Sequence, residues 1–242
     1  VWDTQTGDLQ RELSIATDEQ DYGLLGLSVH PNNRYLAAIY ETGLYDESRD
    51  PRLGPDYTKQ ETVVIWDLST GEALHRLRED SPRHMYSVAF TPRGEQLLIG
   101  YRAPKGSKRR TPWDGAELWD WKAEERIKAL PFSGWRVEHP AFSADGRRVM
   151  LDGWVSGAAV LNVADGATLA NVENWEGIEA ADFTNDGQTV VAATMGDGAL
   201  IRVDVDKPKT FVRSPKRRAG CHRYPQDILI SDASQLVFCP WD

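Results

Sequence analysis

The stretch Thr62 to Leu77, TVVIWDLSTGEALHRL, decides the fold. Val63, Val64 and Ile65 are β-branched and lead into Trp66, Ser69, Thr70 and Gly71 supply turn chemistry, and Ala73, Leu74 and Leu77 open a second short strand. Two antiparallel strands joined by a tight turn form half of a repeating unit. Its strand end and turn, IWDLSTG at 65–71, return as VWDTQTG at 1–7, LWDWKAE at 118–124, VLNVADG at 160–166 and RVDVDKP at 202–208. The acidic slot therefore falls at Asp3, Asp67, Asp120, Asn162 and Asp204.

A second series runs out of phase with the first: LSVHPNN at 27–33, AFTPRG at 89–94, AFSADG at 141–146, DFTNDG at 182–187 and ISDAS at 230–234. Each is an apolar strand entering a turn, and each is followed by another strand, as in RYLAAIY, EQLLIGY and QTVVAAT. One repeat thus holds four strands, a to d, and no segment shows a sustained 3.6-residue apolar period of helical length. The expectation is an all-β chain with whole units at about 22–80, 85–132, 136–173 and 177–213. The ends hold complementary remainders, strands c and d in 1–15 and strands a and b in 226–242. Joined, they form a fifth unit and remove the open edges of the array.

The Trp-Asp pairs at Trp2-Asp3, Trp66-Asp67 and Trp119-Asp120, with turns such as Ala144-Asp145-Gly146 and Asn185-Asp186-Gly187, resemble those of WD-repeat β-propellers. The resemblance covers nearly the whole chain. It implies a single propeller domain over 1–242, with five four-stranded antiparallel blades, the last closed by both termini; an open piece of a seven-bladed or larger ring is the alternative. The sequence departs from the family pattern in lacking the Gly-His pair between blades and in losing Trp from the last two c strands. The family's His–Ser/Thr–Asp–Trp network is therefore expected to be missing, leaving apolar packing between blades, with Asp197 as the best surviving turn aspartate.

The 242 residues carry 37 acidic and 28 basic side chains, a net charge of -9, which argues against a protein coating nucleic acid or anionic membrane over its whole surface. Two cysteines, Cys221 and Cys239, cannot build a disulfide scaffold and point to a reducing, cytoplasmic setting. No apolar run reaches membrane-spanning length. The chain begins at Val1 within a strand pattern and reads as a piece of a longer polypeptide.

Strand order places connections a–b and c–d on one face and b–c and d–a on the other. The long connections, Gly43 to Glu61, Ala103 to Gly115 and Arg213 to Gln226, all belong to the second kind. Twelve of the 28 basic residues lie in two acid-free stretches, Arg102–Arg110 and Lys207–Arg223, while Asp18, Glu19, Asp21, Asp46, Glu47, Asp50 and Asp56 make the same face acidic elsewhere. Partner binding is expected at Lys108, Arg109, Arg110, Lys216, Arg217 and Arg218, with Trp113 and Tyr224 as aromatic anchors. Solvated loop tips are the bland reading of the same residues.

Catalytic signals are thin. His30, His75, His84, His139 and His222 are scattered, Cys221-His222 lacks further spaced metal ligands, and no phosphate loop or nucleophile elbow occurs. Asp152, Asp182 and Asp197 could form an axial carboxylate pair for glycoside hydrolysis, although strand-end acids explain them as well. The leading expectation is a non-catalytic interaction scaffold or sensor without cofactor or metal, binding another protein or another domain of its own chain. The alternatives are a polyanion or nucleic-acid reader using the basic loops and a propeller hydrolase.

Overall fold

The computed structural model describes residues 1–3, 5–14, 20–44, 58–78, 84–102, 113–134, 136–153, 157–172, 178–194, 200–207, 211–213, 228–230 and 236–238. They form only strands and turns, and no helix is long and apolar enough to cross a membrane.

Four antiparallel sheets follow one another, each a four-stranded meander. The first holds β1 (Gln20–Val29), β2 (Tyr35–Leu44), β3 (Thr58–Asp67) and β4 (Ala73–Arg78). The second holds β5 (His84–Phe90), β6 (Leu97–Arg102), β7 (Trp113–Asp120) and β8 (Glu125–Phe132). The third holds β9 (Ala141–Phe142), β10 (Arg148–Gly153), β11 (Gly157–Asn162) and β12 (Thr168–Val172). The fourth holds β13 (Ile178–Phe183), β14 (Thr189–Thr194), β15 (Leu200–Asp204) and β16 (Phe211–Arg213). A two-stranded sheet, β17 (Ile228–Ile230) and β18 (Leu236–Phe238), follows. At the other end, Trp2 pairs with Leu9 around a turn at Asp3.

The repeat register is written into the turns. The c–d turn is capped five times in the same way: Asp3, Asp67, Asp120, Asn162 and Asp204 each accept, at 2.8–3.0 Å, the main-chain N–H two residues ahead. This is the Asx turn, in which a short side chain supplies the hydrogen bond that the reversing backbone lacks. The a–b turns repeat too, with Asn33, Gly94, Gly146 and Gly187 all in the left-handed region at φ 57–73°.

Alternation along the strands makes each sheet apolar on both faces, so successive sheets pack face to face. Ala37, Ile39, Val63 and Ile65 of the first sheet meet Val88, Phe90, Leu97 and Ile99 of the second. Leu98, Leu118 and Leu130 on the second sheet's other face meet Val149, Leu151 and Leu161 of the third. Met150, Val160 and Ala170 then meet Val190, Ala192, Ile201 and Val203 of the fourth. The first strands lie along one side of the stack, with β1 against β5, β9 against β13 and β13 against β17.

Apolar packing does not act alone between sheets. His30 Nε2 donates to the Gly94 carbonyl at 3.0 Å, the Phe90 amide donates to Ser28 Oγ, Ser87 Oγ donates to the Val137 carbonyl, and Arg148 Nη1 donates to the Gly187 carbonyl. Polar clips thus join the sheets as well. The indole Nε1 of Trp119 is buried without a hydrogen-bond partner among the described residues. Trp66 is fully buried, but Trp119 is half-buried; the buried indole of the second sheet is Trp121, which the repeat alignment passes over because it lies in the turn rather than in the Trp-Asp pair.

Candidate functional site

The two faces of the stack differ as strand order requires. On the face of a–b and c–d turns, Arg34 of one turn binds Asp67 of another with Nε and Nη2 at 2.9 and 2.7 Å. The Arg34 guanidinium, followed by Ser69, holds the Asp67 carboxyl well below its usual range. Asp145 is lowered by the Arg147 amide and Ser143, and Asp186 by Thr184 and the Gln188 amide. These charges close turns. An open cleft of about 400 Å³ also lies on this face between the second and third sheets, walled by Gln96, Ile127, Lys128, Arg147 and Val163. Lys128 Nζ donates to the carbonyls of Val163 and Ala164 and fixes one wall.

The opposite face holds Leu44, Arg102 and Arg213, where the long connections leave, and Thr58, Trp113 and Ile228, where they return. Lys108, Arg109, Arg110, Lys216, Arg217, Arg218 and Tyr224 lie outside the described residues, as do Trp135, Trp154, Asp197 and the Cys221-His222 pair. Trp113 opens β7 and pairs with Phe132 across to β8, so its backbone belongs to the end of a strand and not to the loop.

The described residues at the roots of those connections form a row of ionisable groups that the repeat motifs do not mark. Glu61 and Glu41 sit opposite each other on β3 and β2. Glu61, nearly buried, receives His84 Nδ1 at 2.7 Å. Burial pushes the Glu61 carboxyl up, the His84 contact opposes that, and Glu41 adds to the rise. At the next seam, the Arg136 guanidinium lies over the Tyr86 ring, 4.5 Å from its centre, and donates from Nε to Glu138 Oε1 at 2.7 Å.

Beyond Arg136 the chain is laced between two sheets. The Val137 amide donates to the Tyr101 carbonyl, the Glu138 amide to the Asp152 carbonyl, and the His139 amide to Asp152 Oδ1 at 2.7 Å. His139 Nδ1 lies 3.1 Å from Asp152 Oδ2. Asp152 is completely buried, while His139 is exposed. Gly153 permits this approach, since a β-carbon there would stand 2.5 Å from the Arg136 carbonyl oxygen.

Of the carboxylates named from sequence as a hydrolytic pair, the two among the described residues have hydrogen-bond partners. Asp152 is sealed by His139, and Asp182 Oδ1 accepts the Phe183 amide. A third acid that the sequence reading passed over, Glu117, is fully buried but neutralised by Arg126 Nη1 and Tyr101 Oη, both at 2.9 Å. Only the period-two alternation of β7 could have flagged it, as a charge at an inward position. Comparison of the chain with models of known protein families gave no match, and comparison with curated proteins gave none either.

Proposed function

We propose that this chain is a five-bladed propeller of the WD-repeat type acting as a non-catalytic interaction module, with its partner docking on the face of the long connections. The uneven distribution of connections carries the docking face: every a–b and c–d connection among the described residues is a tight, side-chain-capped turn, whereas b–c and d–a connections include 45–57, 103–112 and 214–227. Long segments on a rigid stack provide reach and chemical variety at little cost to the core.

Closure into a ring is supported by equivalence between sheets. Val88 and Phe90 on β5 pack against the first sheet. The repeat puts Leu27 and Val29 at the same positions on β1, and both are more than half exposed. On that face of the first sheet, Ala38, Val64 and Trp66 are buried and Leu13 of the N-terminal segment packs on them. The N-terminal pair around Asp3 and the β17–β18 pair are the two halves of the blade that would cover the remainder.

Docking is tested by affinity capture followed by kinetics with the captured protein, using three chains. One is the wild type, one carries Ala at Lys108, Arg109, Arg110, Lys216, Arg217 and Arg218, and one carries Ile127→Ala with Arg147→Ala on the turn face. The basic substitutions should slow association, because exposed charge steers encounter more than it holds a complex. Loss confined to the Ile127/Arg147 chain would move the docking face to the cleft between the second and third sheets. Binding to RNA that falls steeply with salt would favour a polyanion reader instead.

A further inference from the structure

We propose that Glu138, His139 and Asp152 form a binding site for a divalent transition-metal ion, with zinc as the best fit. One ligand atom from each of the three lies within 4.8 Å of the others, and no other such set occurs among the described residues. The set is mixed: one imidazole nitrogen and two carboxylates. Such donors suit zinc, cobalt or manganese better than magnesium or calcium, which prefer oxygen alone.

A second, independent observation is the electrostatic position of Asp152. Its carboxylate is completely buried, and among the described residues its ion-pair partner is the imidazole of His139, not a permanent cation. The nearby guanidinium, Arg136, is committed to Glu138. A buried carboxylate without a permanent counter-charge is costly, and a dication in contact with it removes that cost. Counting Arg136, the cluster with neutral imidazole keeps one net negative charge, which favours a dication.

The geometry fits. Bonds of 2.0–2.1 Å around a tetrahedral zinc put neighbouring ligand atoms roughly 3.3 Å apart, and His139 Nδ1 stands 3.1 Å from Asp152 Oδ2. The ion would bind Nδ1 of the neutral imidazole in the tautomer that carries its single proton on Nε2, and would sit between Nδ1 and Asp152 Oδ2. Supporting contacts already orient the ligands: the His139 amide holds Asp152 Oδ1, and Arg136 Nε–H holds Glu138 Oε1. Exposed His139 gives the ion a way in, and three protein ligands leave a fourth position for water or a partner's side chain. The inference goes beyond the docking proposal and stands independently of it.

The test uses the full chain, stripped with chelator, titrated calorimetrically with zinc, cobalt and magnesium chlorides, with cobalt absorption as a second readout. Zinc should bind at one equivalent, and cobalt should give tetrahedral d–d bands. His139→Gln and Glu138→Gln should each weaken zinc at least tenfold and abolish the bands, while His84→Gln leaves both unchanged. The proposal fails if zinc does not bind below millimolar concentration, if magnesium binds as tightly as zinc, or if His139→Gln and Glu138→Gln retain wild-type affinity.

Discussion

His30 and Gly94 lock the first sheet to the second: His30 Nε2 donates to the Gly94 carbonyl at 3.0 Å, and the same oxygen receives the Trp121 indole N–H at 2.9 Å. The imidazole also meets Tyr35, Phe90 and Trp121 edge to face, with ring centres 4.9–6.0 Å apart. Its Nδ1 accepts the Asn32 amide, so both nitrogens are used and the neutral tautomer is fixed. Gly94 sits at φ 73°, and a β-carbon there would come within 2.0 Å of His30 Nε2. Gly94→Ala should therefore destabilise the chain by more than the about 1–2 kcal/mol of a left-handed backbone alone. Equilibrium denaturation measures this, and His30→Ala in the same background should then add less than it does in the wild type.

Trp66 is fully buried against Tyr40, with ring centres 5.4 Å apart. Trp66→Ala should cost about 3–5 kcal/mol as a large-to-small change in a core. A near-zero shift of the urea midpoint would contradict the packing described for the first sheet.

Leu13 reaches the same patch from the N-terminal segment. Leu13→Ala should cost about 1–2 kcal/mol, less than the roughly 2.4 kcal/mol of three fully buried CH2 equivalents, because Leu13 is only partly buried. A thermal melt that does not move would show that residues 1–14 add nothing to the first sheet.

Asp67 is held by Arg34 first and Ser69 second, so its folded-state pKa lies below the ordinary value of 3.8. A lowered carboxyl contributes stability that is complete above the unfolded pKa and is lost as pH falls through the folded one. Asp67→Asn should be less stable than wild type at pH 7, and the gap should close as the pH is taken below 3.8. Denaturant midpoints for both chains across that range supply the check.

Glu61 behaves in the opposite sense. Burial raises its pKa above the ordinary 4.5, so the folded state holds the proton more tightly. Its ionisation removes stability as pH rises from 4.5 through the raised value. Glu61→Gln should flatten that fall, seen as a difference in midpoint between the two chains from pH 4 to pH 7. A gap that stays constant with pH would rule out the burial effect.

The sequence by itself determined the strands, their grouping in fours and the position of every capped turn. Those features rest on local chemistry: alternation such as that of Val63 to Trp66 selects a strand, and an aspartate or asparagine two residues before an amide selects the turn, as at Asp3, Asp67, Asp120, Asn162 and Asp204. Only the tertiary structure decided which residues meet between sheets. His30 finds Gly94 across 64 positions, and Trp121 displaces Trp119 as the buried indole. His139 finds Asp152 because β10 folds back along the segment 136–140. These contacts depend on the angle and distance at which one sheet is set on the next, which the summed packing of Leu98, Leu118, Val149 and Leu151 fixes and no local pattern encodes.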